Sequence, residues 1–209
     1  MMKIMDKLKF KIKLDKKILL FLVILLVIGI TVGAIFVTIL NQSDKSLVSE
    51  HLNEFLNSVE SNKLDFSLVL KNNLISNILY VLIIWLLGIS VIGLPIIIFM
   101  FFSKTFILGF SIGAIISTFK TKGILFGLVY TFPGQVISLL FLMLLVMYSL
   151  SFSFKMIYLI FKKKTLDFKV VMNKYFKILL VVLSVIILMS LYDTYLMPRL
   201  VKSIITFIR

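Results

Sequence analysis

The chain has 209 residues, of which 61% are hydrophobic, and its 23 Lys and Arg against 9 Asp and Glu give a formal charge of +14. A soluble protein of this composition would have too few polar residues to cover its surface, so an integral membrane protein is predicted. The basic residues flank apolar runs, which favours anionic phospholipid headgroups over nucleic acid as their counter-charge. The chain has no cysteine and only one histidine, His51, so we expect no disulfide, metal site or cofactor.

The first predicted span covers residues 18–40 and follows a basic segment, 1–17, that holds seven lysines. Its length corresponds to about 34 Å of helix, enough to cross a hydrocarbon core of about 30 Å. A cleaved signal peptide is the alternative, with a passable cleavage site at 32–34. Apolar residues continue past that site, however, so we favour an uncleaved anchor.

Residues 41–73 form the only long polar segment and contain most of the acidic residues. Apolar side chains recur in it at helical spacing, which predicts an amphipathic helix that cannot bury its stripe alone. The stripe either lies on the membrane, packs on the protein's own spans or binds a partner, and an acidic helix is repelled by an anionic leaflet. We interpret the stripe as a docking surface, with packing on the spans as an alternative of equal weight. The docking candidates are Leu47, Leu52, Phe55, Leu56 and Val59.

The second and third predicted spans cover residues 74–102 and 105–119, with Ser103 and Lys104 as a minimal polar turn. The second is longer than one crossing requires, and proline removes a helical hydrogen bond, so a kink is expected near Pro95. A split of this run at Pro95 is the alternative, but it would place Lys104 near the middle of the membrane without an evident partner. The glycines expected to allow close packing here, including a GxxxG pair, are Gly88, Gly93, Gly109 and Gly113.

The fourth predicted span, 123–154, is again overlong, and Pro133 with Gly134 should break it near its start. We interpret Gln135 as a group that caps the broken helix, in preference to a substrate contact. A basic loop at 155–177, a fifth span at 178–192 and a tail at 193–209 complete the chain.

The distribution of basic residues predicts the orientation of these five spans. With the N-terminus in the cytoplasm and the C-terminus outside, fifteen Lys and Arg lie inside and eight outside. The positive-inside rule favours this arrangement over one in which 105–119 does not cross. The predicted fold is therefore an all-α membrane protein with five transmembrane helices, two of them overlong and broken by proline. The segment 41–73 and the tail are extracytoplasmic, and the loop 155–177 is cytoplasmic.

The sequence contains no recognisable catalytic constellation. No Asp, Glu, Lys, Arg or His lies inside a predicted span, and phosphate-binding and metalloprotease motifs are missing. Serines in the apolar runs have no base beside them, and we expect them to bond to carbonyls of their own helices. These serines are Ser90, Ser138, Ser149, Ser151 and Ser153. The chain is therefore not expected to be an enzyme.

The stretch from Trp85 to Pro95 reads WLLGISVIGLP and resembles the WxLGxSxIGLP signature of the stage II sporulation protein M family. Lys104, the sequence GFSIG at 109–113, the break at Pro133 with Gln135, and LYDTY at 191–195 also resemble that family. The likeness extends over nearly the whole chain. Thr105 stands where a glycine is expected, and Gln135 where relatives often have Asn or an acid.

The resemblance implies a role in endospore formation as a non-catalytic membrane scaffold of the engulfment machinery. Members of this family anchor or recruit two peptidoglycan hydrolases, sporulation proteins D and P, in the mother-cell membrane. Membrane lipids and these hydrolases are then the expected partners. A permease or channel subunit is the alternative function, because transporters use proline-broken helices at their binding sites. A homodimer packed on Gly109 and Gly113 would belong to that alternative.

Overall fold

The computed structural model describes residues 16–162 and 168–208, which form α-helices and π-helical turns and contain no strand. In chain order the α-helices are α1 Lys16–Ile39, α2 Gln42–Glu60, α3 Phe66–Ile89, α4 Gly93–Thr131, α5 Ile137–Lys162, α6 Phe168–Leu191 and α7 Met197–Ile208. A π-helical turn, Phe132–Val136, joins α4 to α5, and a second, Tyr192–Leu196, joins α6 to α7.

Five helical segments of the described chain are long and apolar enough to cross a membrane. They are Lys16–Ile39, Phe66–Ile89, Gly93–Thr131, Pro133–Tyr158 and Val170–Ile204. The all-α fold with five spans is thus confirmed, although the bounds of the individual helices differ from the predicted ones.

The second apolar run is interrupted before Gly93 and not at Ser103 and Lys104. α3 ends at Ile89, and the amide of Gly93 donates to the carbonyl of Ser90 at 3.2 Å in the turn that follows. A Cβ on Gly93 would lie 2.0 Å from the Leu87 carbonyl oxygen, so this turn requires glycine. Pro95 consequently stands in the first turn of α4, where its missing N–H leaves no hydrogen bond unmade. The predicted kink near Pro95 is therefore the start of a helix. The apolar run 74–102 is divided close to Pro95, as in the alternative considered from the sequence.

α4 departs from helical geometry at Lys120, where φ is 53° and ψ is −130°. Beyond this point the chain turns back on itself. The reversal brings Gly123 so close to Ile115 that a Cβ on Gly123 would lie 2.6 Å from the Ile115 carbonyl oxygen. The predicted third span, 105–119, is therefore the second half of a longer helix that begins at Gly93. Because the predicted turn at Ser103 and Lys104 lies within α4, Lys104 is inside a candidate span.

The predicted loop and tail are also more helical than expected. α5 continues to Lys162 and α6 starts at Phe168, which leaves only the undescribed residues 163–167 of the predicted loop 155–177 outside helices. The tail is not free either, because a π-helical turn carries α6 into α7 and the last candidate span extends to Ile204. The apolar run ends at Tyr192, but the helix does not.

Four glycines bring α1 and α4 into backbone contact. A Cβ on Gly33 would lie 2.1 Å from the Phe106 carbonyl oxygen, and one on Gly109 would lie 2.1 Å from that of Ile30. A Cβ on Gly113 would lie 2.9 Å from the Ala34 backbone, and one on Gly29 would lie 1.9 Å from the side-chain oxygen of Thr105. Such small residues are typical of close helix packing in membranes. Because α1 occupies Gly109 and Gly113, these glycines are not available to a second copy of the chain.

α2 packs on the rest of the protein through its apolar stripe. Leu56 and Val59 are buried in a cluster with residues of α4 and α7, and Leu52 and Phe55 lie partly buried against it. Near the end of α2, the ammonium of Lys202 donates to the side-chain oxygen of Asn62 at 2.8 Å. α2 and the C-terminal helix therefore lie on the same side of the bundle.

The positive-inside rule predicts which side this is, and labelling of single cysteines tests it. Because the chain has no cysteine, one can be introduced at position 50 on α2 or at position 166, which lies outside the described residues. We expect an impermeant maleimide to label position 50 in intact cells and position 166 only after the membrane is opened. Labelling of position 166 but not position 50 in intact cells would reverse the topology.

Candidate functional site

A polar chamber lies between α3, α4, α5 and the second π-helical turn, within the candidate spans. Its volume is about 440 Å³, within the range of about 300–1,000 Å³ that is typical of small-molecule sites. Aliphatic side chains such as Leu108 and Leu142 form part of the wall. The polar lining comes from Asn73, Asn77, Tyr80, Lys104, Ser111, Tyr130, Gln135, Ser138 and Asp193.

The cationic wall of the chamber is Lys104, which the position of Gly93 places well inside α4. Its ammonium lies 3.3 Å from the side-chain oxygen of Asn77 and 5.3 Å from the centre of the Tyr80 ring. The Asn77 amide in turn donates to Asn73 at 2.7 Å. The Tyr80 hydroxyl donates to the carbonyl of Met100. Asn73, Asn77 and Tyr80 lie on successive turns of α3. The contacts of Asn77 and Tyr80 with Lys104 compensate in part for the withdrawal of the ammonium from water.

The anionic wall is Asp193, in the π-helical turn between α6 and α7. Its Oδ1 is buried and has no hydrogen-bond partner among the described residues. The carboxylate lies against the other π-helical turn, since a Cβ on Gly134 would be 1.6 Å from Oδ1. Only glycine at position 134 therefore leaves room for this carboxylate.

Lys104 and Asp193 attract each other across the chamber but do not touch. Both side chains line the chamber, yet no ion pair within 4.0 Å joins them in the described part of the chain. Two opposite charges therefore line one cavity within the candidate spans without forming an ion pair. Charged side chains inside spans are expensive and commonly mark binding sites or ion pathways.

Sequence reasoning missed both charges. The expectation that no Asp, Glu, Lys, Arg or His lies inside a span is wrong for Lys104 and Asp193, because it placed the first in a turn and the second in a tail. The available signal was Gly93 followed by Pro95, a pattern typical of a helix start. Of the residues that the sequence predicts at helix breaks, Gln135 lines the chamber, and Gly134 lies against the Asp193 carboxylate.

A second polar cluster, which includes the backbone carbonyl of Trp85, links α3, α5 and α6. The hydroxyls of Ser149 and Tyr175 lie 2.7 Å apart, and Tyr175 donates to the Trp85 carbonyl at 2.8 Å. Ser153 donates to the carbonyl of Gly88 at 2.6 Å. The expectation that these two serines bond within their own helix is therefore wrong. A Cβ on Gly88 would lie 2.2 Å from the Tyr175 hydroxyl, so this glycine serves packing.

The predicted docking stripe on α2 is mostly used inside the protein. Leu56 is fully buried, and Phe55 lines the chamber and contacts the Tyr130 ring edge-to-face, with 5.8 Å between the ring centres. Of the five candidates, only Leu47 is largely exposed, at 53%. The exposed side of α2 is instead acidic and carries Glu50 and Glu54. The expectation of a free apolar stripe is thus corrected, because the spans already cover it.

The described residues contain no group of three or more His, Asp or Glu side chains able to hold a metal ion.

The family model of stage II sporulation protein M matches residues 22–198. Searches of the curated proteins and of the solved structures give no match. Since the family match extends over most of the chain, the protein belongs to the stage II sporulation protein M family.

Proposed function

We propose that this member of the stage II sporulation protein M family is a non-catalytic scaffold of the engulfment machinery. In this proposal it resides in the mother-cell membrane and recruits peptidoglycan hydrolases, sporulation proteins D and P, through the exposed face of α2. Family membership supports the sporulation role, and the family is not one of known enzymes. The hydrolytic chemistry belongs to the partners, and this chain provides position and a docking surface.

The observation that carries the docking proposal is the fixed orientation of α2. Its apolar side is anchored by Leu56 and Val59, while Glu50, His51 and Glu54 point away from the bundle. The His51 ring and the Glu54 carboxylate lie 3.2 Å apart, with their side chains 78% and 64% exposed. In the predicted topology this face is extracytoplasmic, on the side where wall hydrolases act. Its carboxylates would steer a basic hydrolase domain towards it.

Reversing the charge of this face tests the proposal. Glu50→Lys with Glu54→Lys is expected to reduce co-purification of the hydrolase from sporulating cells by at least about tenfold, because juxtaposed like charges cost several kcal/mol at an interface. Both residues are exposed, so protein level and membrane insertion should not change.

The matched control is Lys120→Glu with Lys122→Glu, which reverses two exposed charges outside α2. It should leave the hydrolase bound. Full recovery of the hydrolase with the α2 variant would refute docking on this face. Leu52→Ser with Phe55→Ser is a less informative variant, because both side chains pack inside the protein and their loss would lower stability.

A permease or channel subunit is the second candidate function, and the chamber favours it. Lys104 and Asp193 supply intramembrane charge of the kind found at transporter binding sites. Solute flux in proteoliposomes separates the two candidates, because a scaffold predicts none. The chamber alone does not require transport, since a scaffold can also bind a ligand.

A further inference from the structure

We infer that the chamber is a binding site for a zwitterionic group, in which an ammonium and an anionic oxyacid are joined by a short linker. Two opposite charges, Lys104 and Asp193, face this one cavity without forming an ion pair. It goes beyond the scaffold proposal, and it holds whether or not α2 recruits a hydrolase.

The two charged walls each leave hydrogen-bonding capacity unused. Asp193 lines the chamber, and its Oδ1, which packs against Gly134, has no hydrogen-bond partner among the described residues, so the carboxylate has accepting capacity left for an ammonium. The Lys104 ammonium has three N–H donors, and one of them is directed to Asn77. The Tyr80 ring balances part of its charge. At least one further donor is available to an anionic oxygen.

A zwitterion satisfies both walls at once, whereas a ligand with a single charge satisfies only one. A simple cation would leave Lys104 without an anion, and a simple anion would face the buried Asp193 carboxylate. Leaving a buried charge unpaired is strongly unfavourable. The remaining polar lining, including Asn73, Gln135 and Ser138, offers neutral donors and acceptors for the rest of a small ligand.

α2 lies over one end of the chamber. Its lining includes Phe55 of α2 and Val69 near the start of α3, so it extends up to the surface that α2 covers. A free amino acid could enter from the aqueous phase on this side, and the headgroup of a zwitterionic aminophospholipid could enter from the adjacent leaflet. Both sources present the same chemistry to Lys104 and Asp193.

The experiment compares ligands on the full-length wild-type protein by thermal shift and by equilibrium binding of radiolabelled ligand. One arm adds glycine or L-alanine in detergent, with acetate and methylamine as single-charge analogues. The other arm adds phosphatidylethanolamine, with phosphatidylglycerol as its control. We expect a saturable rise in melting temperature and saturable binding in one zwitterion arm and neither effect with the single-charge compounds. The arm that responds identifies the source of the ligand.

Variants then locate the site. Lys104→Met and Asp193→Asn should each weaken zwitterion binding by about tenfold or more, the effect of removing a charged hydrogen bond. Lys122→Met, an exposed lysine of α4 outside the chamber, should not change binding. The inference is wrong if neither zwitterion binds the wild-type protein, or if acetate or methylamine binds as well as the zwitterion. The wild-type comparison decides the matter even if a chamber variant fails to fold.

Discussion

Replacement of Gly109 by alanine is expected to destabilise the protein by about 2 kcal/mol or more, near the upper range for overpacked sites. The added Cβ would lie 2.1 Å from the carbonyl oxygen of Ile30, and a backbone atom cannot rotate away as a side chain can. α1 and α4 would have to separate along their whole contact. The melting temperature of the purified protein and its amount in the membrane should both fall.

Gly127→Ala, in the part of α4 that follows the turn at Lys120, is the control with the same type of substitution. A Cβ at that position would have only the Cγ2 of Ile115 near it, at 3.8 Å, an ordinary contact. Because alanine also restricts the unfolded chain, this variant should be neutral or stabilised by up to about 1 kcal/mol. Equal melting temperatures for the two variants would contradict the close packing of α1 on α4.

Removal of one chamber charge is expected to destabilise the protein more than removal of both. Asp193→Leu leaves the Lys104 ammonium in the membrane without a nearby anion, and an isolated charge at the centre of a span costs about 2.5–3.5 kcal/mol. In the double variant, Lys104→Met with Asp193→Leu, an apolar pair replaces the charges, so much of the lost stability should return. Melting temperatures of the wild type, both single variants and the double variant form a double-mutant cycle.

The coupling between positions 104 and 193 is the quantity of interest in this cycle. The account predicts that the double variant melts above the Asp193→Leu single variant. A double variant that loses the sum of the two single effects would mean that the charges do not interact and that the chamber is not one electrostatic unit.

The number of spans could be predicted from sequence because the cost of placing charge in the hydrocarbon core dominates at that scale. The helix break at residues 90–92 could not be predicted with the same ease. It falls inside an uninterrupted apolar run, so hydropathy carries no signal there, whereas Ser103 and Lys104 look like a polar turn. Only the backbone requirement at Gly93, followed by Pro95, marks the true position.

The chamber depends on two placements that a hydropathy pattern cannot provide. Lys104 enters the membrane because the break precedes it, and Asp193 does so because a π-helical turn continues the helix beyond the apolar run. The helical periodicity of α2 did predict that Leu56 and Val59 belong to one apolar face that has to be covered. Which surface covers them depends on tertiary contacts with α4 and α7, and the periodicity of one helix does not contain that information.

Site-specific photocrosslinking in sporulating cells tests the scaffold claim most directly. A photoreactive amino acid at position 54, on the exposed face of α2, reports what lies against that face in the intact membrane. The buried position 56, two residues away, is the internal control. The account predicts a crosslink from position 54 to a peptidoglycan hydrolase and only internal crosslinks from position 56. A protein present at normal level that yields no hydrolase crosslink from position 54 would contradict the account.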